Sequence, residues 1–270
     1  MSSNVTDVSA FTSPVVIPAD GDTRNAASVN AAFQALSDRA RFLLNASVGQ
    51  LLWNARLRVD AVTAGIGVYV GVIESLLIGT SLLTQAAETE VAGSLPLAGL
   101  SSWYYVYAYD NAGTLALQAS LDAPDAALVW KSTGDLTHRY LGCFRTDGAG
   151  SPIYMSAARG HCRWLTAPAA RAALSTGSAI AATSVACAAY APPHARLLCV
   201  TTLATETGAA PATYSLYETT TAAAQAFHQV PASQSTTNGA ELICTSAQAI
   251  AYLCSTVDVD LTIYVDGWRE

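Results

Sequence analysis

Apolar and polar positions alternate along much of this chain. Val257, Val259, Leu261, Ile263 and Val265 are interleaved with Asp258, Asp260, Thr262 and Tyr264. A period of two places one set on a buried face and the other on a wetted face, which predicts a strand. The same reading predicts strands over 56–62, 66–73, 103–109, 114–120, 140–146, 153–157, 195–204, 213–218, 241–245 and 248–254. Asp110-Asn111-Ala112-Gly113 and Asp147-Gly148-Ala149-Gly150 are turn sequences between such runs, so they predict hairpins and an antiparallel sheet. Residues 76–93 fit either a short helix or a further strand. Ala61–Leu83 carries a single charge, Glu74, and is long enough to cross a bilayer as a helix. Gly65, Gly67, Gly71 and Gly79 interrupt it, and Val62, Val68, Val70, Val72 and Ile73 favour strands. Buried strands are expected there, without membrane insertion.

The N-terminal region follows a different period. Val29, Phe33, Leu36, Ala40 and Leu43 are spaced by 4, 3, 4 and 3 residues behind Asp22 as an N-cap. This predicts a helix over 22–44 with a heptad seam. The seam is too short to hold an oligomer alone, but it can set its register. An amphipathic helix packed on its own domain would give the same pattern. Ahead of it, Pro14 and Pro18 bracket Val15, Val16 and Ile17. That run either docks on a neighbour as an added strand and anchors the chain, or is an untethered chain end.

The expected fold is therefore mainly β: an N-terminal extended arm and helix, followed by two antiparallel β domains of sandwich or jelly-roll type. The divisions are 1–49 (arm and oligomerising helix), 50–164 (β domain), 165–177 (linker, with a short helix over 168–174) and 178–270 (C-terminal β-sandwich domain).

Charge and chemistry narrow the function. Charged residues make up 12% of the chain, against roughly 25% in ordinary soluble domains. A surface this poor in charge suits packing against other subunits. With 13 basic and 20 acidic residues the net charge is 13 − 20 = −7, and Lys131 is the sole lysine. Nucleic-acid binding needs clustered cations and is not expected. Six cysteines contain no C-x-x-C pair, and the four histidines lack H-x-x-x-H spacing, so no metal or other cofactor is expected. Buried reduced thiols are the expected state of Cys143, Cys162, Cys187, Cys199, Cys244 and Cys254. No G-x-S-x-G elbow occurs, and His161 and Cys162 are neighbours whose side chains would point to opposite faces of a strand. A non-enzymatic role is expected. The competing enzyme reading, cleavage of glycans, would use Asp258 and Asp260, about 7 Å apart on one strand face. Tyr105, Tyr107 and Tyr109 share a face of one strand. They could stack on sugars or line a subunit boundary, but cross-strand packing inside the sheet is the stronger expectation.

Three stretches, "ADGDTRNAASVNAAFQALSDRARFLL", "SSWYYVYAYDNAG" with "RYLGCFRTDGAGSPI" downstream, and "LTIYVDGWRE", resemble segments of tailed-bacteriophage virion structural proteins of tail-fibre, spike, baseplate or collar type. The resemblance implies a homotrimer assembled in the bacterial cytoplasm and located in the virion, with other virion proteins as partners. It carries no shared catalytic residues. A host-surface glycan is the alternative partner it implies.

Overall fold

The computed structural model describes residues 57–62, 65–79, 81–91, 99–131, 135–158 and 160–270. The expected arm (Val15, Val16, Ile17) and the seam (Val29, Phe33, Leu36, Ala40, Leu43) lie outside them. The described chain is mainly β and antiparallel, as the alternating pattern predicts, and no α-helix occurs among the described residues.

Among the described residues, eighteen strands form four sheets. The first half contributes β1 (Leu57–Val62), β2 (Gly65–Val70), β3 (Ile73–Ile78), β4 (Ser81–Gln85), β5 (Thr89–Glu90), β6 (Trp103–Asn111), β7 (Thr114–Ser120), β8 (His138–Arg145), β9 (Met155–Ala158) and β10 (His161–Trp164). The second half contributes β11 (Ala172–Gly177), β12 (Thr183–Ala186), β13 (Leu197–Glu206), β14 (Ala212–Tyr217), β15 (Ala224–Val230), β16 (Ser235–Ile243), β17 (Ala249–Cys254) and β18 (Val259–Arg269). The glycine-interrupted stretch over 61–83 is thus strand, and no helix among the described residues is long and apolar enough to cross a membrane.

The largest sheet runs β16-β13-β18-β10-β9-β1-β2-β5, with β11 also on β18. It joins both halves of the chain, because β10 pairs with the end of β18 while β13 pairs along its whole length. The expected linker at 165–177 belongs to this sheet. Pro168–Arg171 form one 3-10 turn, and Ala172–Gly177 form β11 on the free flank of β18. The short helix expected over 168–174 gives way because an unpaired strand edge offers more hydrogen bonds than alanine propensity can oppose.

A four-stranded sheet, β12-β17-β14-β15, lies over the inner face of β13 and β18 in a sandwich-like arrangement. Val259, Leu261, Ile263 and Val265 are all fully buried, whereas Val257 lies in the preceding turn and is exposed. Thr202 Oγ1 and Tyr214 Oη, 2.6 Å apart, bridge the layers. A three-stranded sheet, β7-β6-β8, meets the large sheet where Leu57 of β1 packs on Gly142 of β8.

One irregularity controls how β18 ends. Cys199 pairs with Gly267 but Val200 pairs with Val265, so Asp266 is an extra residue. A bulge of one residue inverts side-chain parity beyond it. Leu198 and Val200 share the inner face of β13, so Trp268, opposite Leu198, stays inside and is fully buried. Trp268 stands edge-on to Trp103 (centroids 5.2 Å, 82°) and tilted against Trp164 (5.2 Å). A side chain at Gly267 would meet the backbone oxygen of Cys162 at 1.9 Å, so the approach of β10 requires glycine there.

Gly267→Ala is expected to destabilise the protein by ~3 kcal/mol or more, because the obstacle is backbone and cannot rotate away. Gly148→Ala, in open space, should stay within about 0.5 kcal/mol. Urea denaturation of both variants checks this, and equal losses would contradict the account.

Candidate functional site

A second bulge builds the most unusual cluster of side chains. On β6 and β8, Val106 pairs with Gly142 and Tyr107 with Tyr140, leaving Leu141 extra. Gly142 has φ +148°, where a side chain would be strained. The parity change brings Tyr140 and Cys143 onto one face, beside Tyr107 and Tyr105. The bulge in β18 sends Glu270, two residues beyond Trp268, toward the same interior. His194 follows Pro192 and Pro193, and Gln248 Nε2 donates to the Pro193 carbonyl at 2.8 Å.

These groups converge on one carboxylate oxygen. Glu270 Oε1 accepts from Tyr140 Oη at 2.7 Å, lies 3.0 Å from His194 Nε2, and is 3.6 Å from Cys143 Sγ. Tyr140 Oη is also 3.1 Å from His194 Nε2. The imidazole packs at 5.7 Å from the rings of both Tyr105 and Tyr140. Cys143 is completely buried, while the His194 and Glu270 side chains are 14% and 11% exposed. Burial pushes the Tyr140 phenol and the Cys143 thiol well above their usual ranges, and the Glu270 charge adds to both shifts. Both groups therefore keep their protons and act as donors to the carboxylate. Two donors and the His194 ring nitrogen crowd one carboxylate oxygen and form a tight polar clamp. Among the described residues, Cys143, His194 and Glu270 are also the one trio whose ligand atoms lie close enough together to hold a metal ion.

The tyrosine row supports this interior rather than an outer surface. Tyr105 and Tyr107 are 3% and 0% exposed, so neither ring can stack on a sugar. Tyr105 and Tyr107 pack on Tyr140, and Tyr107 Oη donates to the Asp122 carbonyl at 2.7 Å. Tyr109, half-buried, packs on His138.

The acid pair does not share a strand face. Asp258 sits in the turn before β18 and accepts from Thr256 Oγ1, whereas Asp260 lies on β18 opposite Thr205. His161 and Cys162 do point apart, with the first exposed and the second buried. The partner of His161 is instead Cys199, with Nε2 3.4 Å from Sγ on the outer face of the sheet. Half-burial and the nearby Glu241 raise the Cys199 thiol, with Arg269 opposing, which is the wrong direction for an activated nucleophile. All six cysteines are free thiols.

From the sequence Cys143 is expected only as a buried thiol, and nothing local sets His194 or Glu270 apart. Their spacing along the chain carries no local motif; only two bulges and a proline-bounded loop bring them together. No protein-family model matches this chain, and no curated protein matches it.

The buried thiols make alkaline stability a direct readout. Burial pushes Cys187 up to about 12 and Cys254 up to about 11, against about 8.5 in an unfolded chain. Folded thiols hold their protons where unfolded ones have lost them. This stability is complete below about pH 8.5 and declines as pH rises toward the folded values. The urea midpoint should be lower at pH ~9.5 than at ~7.5, and Cys187→Ala should shrink that difference. In the native protein a thiol reagent should modify Cys199 first; rapid modification of all six would sink the assignment.

Proposed function

We propose that the protein is a structural component of a tailed-phage particle, assembling as a homotrimeric fibre, spike or baseplate/collar part. The N-terminal arm and helix anchor it, and other virion proteins are its partners. The observation that carries the assembly reading is the outer edge of β16. Among the described residues no strand pairs with that edge, since β16 ends the sheet. It is nine residues long and carries one charge, Glu241. Long edges with few charges invite strand addition, and proteins that stay monomeric usually blunt them. At one end, the Gln225 side chain bonds both the N–H and the carbonyl of Ile243. Phe227 of β15 and Ile243 of β16 are 65% and 50% exposed.

In this reading the apolar run Val15-Val16-Ile17 of a neighbouring copy adds to such an edge. The motif resemblance supplies the particle, and the low charge of the chain fits a surface covered by other subunits. Recognition of a host glycan through the tyrosine row is not part of the proposal, because Tyr105 and Tyr107 are interior.

Full-length protein is expected to scatter light as a trimer. Phe227→Glu should weaken the assembly without lowering the melting temperature of the fold. A stable monomer at all concentrations would remove the proposal.

A further inference from the structure

Three side chains from distant parts of the chain present ligand atoms at the spacing a metal ion requires. A tetrahedral zinc-type ion has bonds of about 2.3 Å to sulfur and about 2.0–2.1 Å to nitrogen and oxygen, which puts neighbouring ligand atoms about 3.3–3.5 Å apart. In the cluster, Cys143 Sγ lies 3.6 Å and His194 Nε2 lies 3.0 Å from Glu270 Oε1, with all three atoms within 4.8 Å of one another. We propose that Cys143, His194 and Glu270 bind a divalent transition-metal ion of the zinc type, which cross-links β8, the 187–196 loop and the residue after β18. This goes beyond the assembly role and does not depend on it.

The donor set selects the class of ion. Thiolate and imidazole favour zinc-type metals, whereas magnesium and calcium prefer sites made wholly of oxygen. Charge balance favours it too. A divalent cation with one thiolate, one carboxylate and one neutral imidazole is a neutral unit, and the interior tolerates neutral units best. On binding, the Cys143 S–H bond is replaced by a sulfur–metal bond and the proton leaves to solvent, with no change of oxidation state. The slight exposure of His194 and Glu270 gives the ion an entrance, while Cys143 closes the far side. Tyr140 Oη, 2.7 Å from the ligating carboxylate, orients it from outside the ligand set. The Cys199–His161 pair on the outer face lacks a third ligand at this spacing among the described residues, so it serves as an internal control.

The test is titration of the full chain with cobalt(II) and, separately, with zinc. Expected are a thiolate-to-cobalt charge-transfer band in the near ultraviolet and intense visible bands of a tetrahedral ion. These should saturate at about one ion per chain. Zinc should displace the cobalt and raise the melting temperature, and a chelator should reverse the rise. Cys143→Ser should abolish the charge-transfer band, and Cys199→Ser should retain it. Tyr140→Phe should keep the band but weaken cobalt binding about 10–100-fold. If Cys143→Ser does not fold, the wild-type spectrum, the zinc-dependent melting shift and the Tyr140→Phe titration decide. A wild-type chain with no charge-transfer band and no zinc-dependent melting shift would overturn the proposal. So would a band that survives Cys143→Ser or disappears in Cys199→Ser.

Discussion

The extra residue at Asp266 in β18 is the constraint on which the interior depends. A strand has two faces, and its side chains alternate strictly between them. Without the bulge, the parity set by Val259, Leu261, Ile263 and Val265 would turn Trp268 and Glu270 outward. With it, Trp268 closes the core between Trp103 and Trp164, and Glu270 reaches the polar clamp. Gly267 makes the step possible by letting the backbone of β10 come closer than any side chain would allow. Asp266 itself faces the outer side, where Thr201 Oγ1 bonds it at 2.5 Å and Arg171 pairs with it.

The interior built this way mixes an aromatic cluster with a polar one, and the two carry different stakes. The three tryptophans bring large apolar area and favourable edge-to-face geometry. The Tyr140, His194, Cys143 and Glu270 group is a buried network in which every member relies on the others. Removing one donor leaves a carboxylate short of partners, at a cost of about 1–3 kcal/mol. By contrast, the ion pair between Arg269 and Glu241 is nearly half exposed on both sides. Such exposed pairs contribute about 0–1 kcal/mol. Cohesion of the two halves therefore lies on the inner face, where the shared sheet and the clamp both cross from one half to the other.

The outer surface has a different character. The face carrying Cys199, Thr201 and Asp266 is polar and laced with side-chain bonds, while the edge formed by β16 is long and nearly uncharged. Long edges with few charges are the kind that proteins usually blunt.

The alternation of apolar residues was enough to determine the β class, the antiparallel hairpin at 103–120 and the inward face of Val259–Val265, because period two is a local property of the chain. The second hairpin expected across 147–150 does not form between β8 and β9, since β8 pairs with β6 while β9 pairs with β1 and β10 in another sheet. Strands such as β12 and β15, rich in alanine, serine and glutamine, were illegible, since what makes them strands is the neighbour they pair with. The expected linker became β11 for the same reason. The clamp was beyond reach of the sequence altogether. Tyr140 and Cys143 share a face only because Leu141 is bulged, and Glu270 joins them only because Asp266 is. A single inserted residue reverses parity without leaving a compositional mark. Local pattern therefore determined which segments are strands with a buried side, and tertiary pairing alone decided which distant side chains meet.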